Sequence, residues 1–170
     1  MSKKVVLIVM VFFLFFSLQA QRLNKKRIDD KTQKEILVGK CNLKGLKTGE
    51  FGDVFKIEYT NYHTDSNVIV DLQKKMKKIK IEIVLGTWCG DSKEQVPRFI
   101  KILDELRYKT RKLEIVSITR LFEADGFNKM ESNVIKVPTF IIYRKNIEIG
   151  RIIETPMQTL EKDLLNILNK

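Results

Sequence analysis

The residues with most chemistry in this chain are consecutive: Trp88-Cys89-Gly90-Asp91-Ser92. A thiol attacks as its thiolate, so the question is what would favour that form. Lys93 adds positive charge one step beyond the loop, and Asp91 places negative charge inside it. A serine hydroxyl can donate a hydrogen bond to a thiolate or to a mixed disulfide without itself attacking sulfur. Cys89 and Ser92 are therefore the candidate catalytic pair. With one nucleophile in the loop, attack on a disulfide gives a mixed disulfide that an external thiol, a second substrate cysteine or Cys41 must resolve. Cys41 is the other cysteine of the chain. It reads either as a distant redox partner of Cys89 or as a small buried hydrophobe.

The elements around the loop give the cysteine its setting. Ile79–Leu85 is a short run rich in β-branched residues, which predicts a strand closed by Gly86. After the loop, Val96, Phe99, Ile100, Leu103 and Leu106 follow the helical period. Cys89 is thus expected at a helix N-terminus, where free N–H groups and the helix dipole favour thiolate over thiol. Residues 113–118 predict a second strand and residues 128–134 a short helix. Residues 139–143 with Ile147–Ile153 predict a hairpin turning near Lys145-Asn146. A helix after Thr155, Pro156 and Gln158, the residues of an N-cap, a first-turn proline and a capping-box partner, closes the chain through Leu160, Leu164, Ile167 and Leu168.

Upstream the patterns are weaker. Val68, Ile69, Leu72 and Met76 predict a surface helix after the polar turn His63-Thr64-Asp65-Ser66. Residues 51–62 suit a helix or a strand, and residues 21–38 read as an arm becoming a short helix before Gly39. A strand-helix-strand crossover implies parallel pairing, and the hairpin adds antiparallel strands. The expected fold is α/β, a mixed central sheet flanked by helices on both faces.

The chain has 170 residues, 44% hydrophobic and 31% charged, enough for one good core. Lys3 and Lys4 precede an apolar run over residues 5–18 and then Ala20, the pattern of a secretory signal peptide at residues 1–20. An uncleaved anchor is the rival reading, but the run is short for a bilayer span. The organisation expected is a signal peptide, an N-terminal extension over 21–62 and one domain over 63–170. Export makes the product periplasmic or secreted, with no stable membrane insertion after cleavage. Removing residues 1–20 lowers the net charge from +11 to +9. A basic surface attracts anionic partners of any kind, and export makes nucleic acid the least favoured of them. Two cysteines are too few for a disulfide scaffold, and one histidine without paired cysteines gives no metal site. No phosphate-binding loop or Ser-His-Asp set is present, so action without cofactors is expected.

Trp88-Cys89-Gly90, with Pro97 eight positions after the cysteine and Val137-Pro138-Thr139-Phe140 further on, resembles the thioredoxin family. The resemblance runs from about Ile79 to the C-terminus. It implies a thioredoxin-like fold, Pro138 as the cis-proline beside the active-site loop, and a substrate surface made by Trp88, Gly90, Val137 and Pro138. It also implies thiol-disulfide exchange with protein or small-molecule disulfides and thiols. Two departures bear on that chemistry. Ser92 stands where the family has its resolving cysteine, and Ile83 where it buries an acid. The resemblance with these changes points to monothiol exchange or isomerisation. A redox-silent binding module using the same surface is the alternative. Cys-Gly-Asp-Ser is also similar to the loop of monothiol glutaredoxins, a more distant reading given the preceding Trp88.

Overall fold

The computed structural model describes residues 23–170, so the signal-peptide expectation lies outside the described residues. The strand expected over Ile79–Leu85 forms with those bounds and is here β4; β5 spans Leu113–Ser117, β6 Thr139–Arg144 and β7 Ile147–Ile153. β4 pairs parallel with β5, as the crossover rule requires, and antiparallel with β6, which pairs antiparallel with β7. Lys145 and Asn146 both have positive φ, the backbone of a two-residue hairpin turn matched to strand twist.

The N-terminal part departs from expectation. Within residues 21–38, expected to form an arm and short helix, two strands form, β1 Lys26–Ile28 and β2 Glu35–Leu37, and a third, β3 Gly39–Cys41, follows directly. β1 and β2 make a two-stranded hairpin, and β3 enters the main sheet at its edge, antiparallel to β5. The sheet order is β3-β5-β4-β6-β7. Gly39, at φ +90, turns the chain from hairpin into sheet. Its reach for a distant strand is what a local pattern in residues 21–38 cannot signal.

Residues that suited either helix or strand form a helix. Here α1 is Leu43–Leu46, α2 Gly49–Asn61, α3 Ser66–Lys75, α4 Gly90–Glu105, α5 Lys129–Ser132 and α6 Leu160–Leu168. α2 buries Phe51 and Phe55 against the core, the one helical reading of that segment. Asp65 caps α3 by accepting from the Asn67 and Val68 N–H groups. α6 starts later than expected: Thr159, not Thr155, is its N-cap and accepts from the Lys162 N–H. The Asp163 carboxylate takes the Met157 and Gln158 N–H groups, so the Thr155-Pro156 stretch is held as a loop in front of the helix.

The sheet alternates between two clusters. Ile81, Ile83 and Leu85 face the larger one, with side chains from α2, α3, α4 and α6; Val84 faces the smaller one, with Ile118, Val134, Val137 and Ile141. The four long helices therefore feed one layer, and on the other the sheet is covered by the 118–137 segment with its one short helix. Cys41, Ile115, Ile83, Phe140 and Ile152 are register partners in one row across all five strands. Phe99 of α4 meets Phe140 at 4.4 Å between ring centroids, joining helix to sheet at the centre of that layer.

Candidate functional site

Cys89 is the N-cap of the 16-residue α4, in extended conformation, and it is partly exposed. The β4 strand ends at Leu85, and the chain closes a tight turn in which the Cys89 N–H donates to the Gly86 carbonyl at 2.9 Å. The Cys89 carbonyl accepts from the Lys93 N–H at 3.0 Å, so the helix is under way within one turn. Sγ makes no cap to the helix; it donates to the Val137 carbonyl at 3.3 Å. The Val137–Pro138 peptide bond is cis, and both residues are buried. The structure thus brings Cys89, Gly90, Val137 and Pro138 together from a helix start and a strand start 48 residues apart.

Trp88 is held from three directions. Its indole Nε1–H donates to the Ile118 carbonyl at 2.8 Å. The Arg120 guanidinium lies over the ring at 4.5 Å from its centroid. Beneath it is Gly86, where an added Cβ would come within 2.6 Å of the indole, so glycine is needed for the ring to fold back over the strand end. Thr87, buried between them, accepts from the Leu37 N–H at 3.0 Å, and the Leu37 carbonyl accepts from the Ser117 hydroxyl at 2.7 Å. The hairpin strand β2 is therefore bonded to the Cys89 loop and to the sheet at the same residue.

Two expectations about the loop change. Ser92 is fully buried, and its hydroxyl oxygen accepts from the Gly86 N–H at 3.2 Å instead of bonding Cys89. The serine therefore ties the first turn of α4 to the end of β4. Lys93, expected to favour thiolate, instead places its ammonium on Glu50 of α2 at 2.6 Å. Glu50 also receives Lys34 at 2.7 Å, and the two lysines hold its carboxyl down to about 2.

Both thiols are free, and they belong to different layers, Cys41 to the larger cluster and Cys89 to the edge of the smaller. Burial pushes the Cys41 thiol up to about 11, and its Sγ donates to the Gly39 carbonyl at 3.4 Å. This burial favours the reading of Cys41 as a small buried hydrophobe.

A cavity of about 330 Å³ opens beside Trp88, between the hairpin, the start of α2 and the loop. Lys26, Lys34, Glu50, Lys93 and Arg120 are among the side chains on its wall. Among the described residues, no three His, Cys, Asp or Glu side chains gather as a metal site would require, and no helix is long and apolar enough to cross a membrane.

Sequence reasoning missed Asp29, Gly86, Thr87 and Arg120 as parts of this site. Gly86 was visible as a strand terminator and nothing more. Asp29 and Arg120 lie 91 positions apart in unpatterned segments, and no local signal joins them.

The chain matches no protein-family model and no curated protein in sequence. Among solved structures it is similar to a Pseudomonas aeruginosa protein of unknown function, at 12% identity and TM-score 0.54 over 72% of this chain and 84% of that one. It is also similar to mitochondrial thioredoxin 3 from Saccharomyces cerevisiae, at 23% identity and TM-score 0.34 over 56% and 86% of the two chains. Fasciola hepatica thioredoxin aligns at 16% identity and TM-score 0.38 over 59% and 90%. The first likeness supports a shared fold. The thioredoxin-like architecture rests on this chain's own topology: a five-stranded mixed sheet, flanked by helices, with the cysteine at a helix start beside a cis-proline.

Proposed function

We propose that this is an exported thioredoxin-fold protein that carries out monothiol thiol-disulfide exchange or isomerisation through Cys89. The observation that supports it best is the placement of a partly exposed Sγ at the start of α4, 3.3 Å from the carbonyl of the residue before Pro138. That position sets the sulfur beside the backbone of the strand start, within reach of a substrate segment laid along it.

In this reading the Cys89 thiolate attacks one sulfur of a substrate disulfide. A Cys89–substrate disulfide forms, the substrate S–S bond breaks, and the second substrate sulfur leaves as thiolate. A thiolate from the same substrate or from an external thiol then attacks the substrate sulfur, forming a new substrate disulfide and returning Cys89 as thiolate. No electron is gained or lost over the two steps. Val137 presents backbone to an extended substrate segment beside Pro138, with Trp88 and Gly90 flanking it. Ser92 serves the site through the loop, by fixing Gly86, and does not touch sulfur.

The test is the rate of Cys89 with a small disulfide across pH, in the Cys41→Ala background. The expected result is a reaction abolished in Cys89→Ser, with a mixed disulfide trapped and identified by mass. A parent protein that forms no mixed disulfide would instead favour the redox-silent binding module, whose function Cys89→Ser leaves intact.

A further inference from the structure

Two acidic side chains in the described structure are buried, Asp29 at 4% exposure and Glu161 at 2%. Glu161 accepts from the Tyr62 hydroxyl and the Asp65 N–H, and so joins the start of α6 to the loop between α2 and α3. Asp29 has a different destination. It sits just past β1 in the hairpin loop and accepts from the Thr32 N–H at 3.1 Å and the Thr32 hydroxyl at 2.6 Å. Its carboxylate also takes Arg120 as a fork: Nε–H to Oδ1 at 3.0 Å and Nη2–H to Oδ2 at 3.1 Å. A buried carboxylate is unfavourable unless paired and hydrogen-bonded, and here every demand is met. The Arg120 fork and the Thr32 groups hold its carboxyl below the usual carboxylate range.

A guanidinium gripped by two oxygens has its plane fixed. The carbon at the centre of the Arg120 guanidinium lies over the Trp88 ring, 4.5 Å from its centroid. The other restraints on that indole are the Ile118 carbonyl and the bare Gly86 backbone, so removing Arg120 would take away the charged contact over the ring. The chain of contact runs from the hairpin loop through Arg120 to the residue next to the nucleophile.

We propose that Asp29 and Arg120 are positioning residues of the Cys89 site, which hold Trp88 in place beside the nucleophile and make the N-terminal hairpin a working part of that site. This rests on the reading of Cys89 as a nucleophile, but the placement of Trp88 can be measured without it. A structural role alone, in which the pair only anchors the hairpin, differs in one respect. Lysine at position 120 keeps the ion pair with Asp29 and the anchor, but has no plane to stack on the ring.

Trp88 is the chain's single tryptophan, so its fluorescence reports this position and no other. The experiment takes Arg120→Lys and Asp29→Asn in the full chain with Cys41→Ala. It measures acrylamide quenching of Trp88, the Cys89 rate with a small neutral disulfide, and thermal unfolding as a check on the fold. Both variants are expected to raise the quenching constant about twofold and to lower the rate about fivefold, Arg120→Lys with little change in the unfolding temperature. Quenching in folded Arg120→Lys equal to that of the parent would overturn the proposal, as would raised quenching with an unchanged rate. An inert parent Cys89 would instead overturn the nucleophile reading, and the quenching arm would still decide whether the pair holds Trp88. If Asp29→Asn loses its fold, Arg120→Lys decides alone.

Discussion

At the scale of single residues, the two cysteines show how the same side chain acquires opposite character. Cys89 is partly exposed at a helix start, and Cys41 is buried in a row with Ile115, Ile83, Phe140 and Ile152. Ile83, where the family this chain resembles buries an acid, sits in the same apolar row at the sheet centre. One consequence is a thiol count. An aromatic disulfide reagent at pH 8 should titrate one thiol in the native protein and two in denaturant, and Cys89→Ser should leave none accessible in the native state. The raised Cys41 value also sets a slope in stability. The native state holds that proton up to about 11, while an unfolded cysteine releases it near 9.0. The contribution is complete below the unfolded value and is lost as pH rises from there toward about 11. Denaturant midpoints from pH 8 to 11 should fall in the parent by more than in Cys41→Ala; parallel curves would refute this.

At the scale of elements, α4 does two jobs. Its first turn carries Cys89 and Ser92, and its apolar face carries Val96, Phe99, Ile100 and Leu103 into the core. The stripe is what points the N-terminus at Pro138, because the helix can bury those side chains only when lying along the sheet in one register. Phe99→Ala should cost roughly 3–5 kcal/mol, the scale of a large aromatic side chain lost from a packed core. Since Phe99 touches Phe140 two residues past Pro138, the reactivity of Cys89 should fall in the fraction that remains folded. Denaturant unfolding and the rate with a small disulfide measure the two effects separately. The hairpin is an element of another kind. It has three residues in each strand, too few to be stable alone, and takes its order from Thr87, Ser117 and Arg120.

At the scale of the molecule, residues 39–61 belong to the same packed unit as the segment that resembles thioredoxins. β3 covers the β5 edge, and α2 packs along α4 with Phe51 and Phe55 in the shared core. Ion pairs cross the same seam: Arg98 to Glu58 at 2.7 Å and Lys93 to Glu50 at 2.6 Å. A fragment beginning at residue 63 would expose an unpaired strand edge and the α2 footprint on α4. It should show no cooperative thermal transition where residues 23–170 show one; a sharp transition in the fragment would mean that the larger unit is not required.

Local pattern alone determined β4, the β6–β7 hairpin and the start of α4 at Cys89, because periodicity of apolar side chains and turn residues act within a few positions of themselves. The paired motifs around Cys89 and Pro138 were likewise legible, since each is a short run of defined residue types. Only the tertiary structure decided the rest. Whether residues 51–62 coil or extend depended on finding α4 as a partner, and β3 became a strand because β5 offered an open edge. Ser92 and Lys93 took partners other than Cys89, at Gly86 and Glu50, that their place in the chain does not indicate. Asp29 reaches Trp88 through Arg120 because folding places a hairpin loop against the far end of a strand, and sequence distance carries no information about that contact.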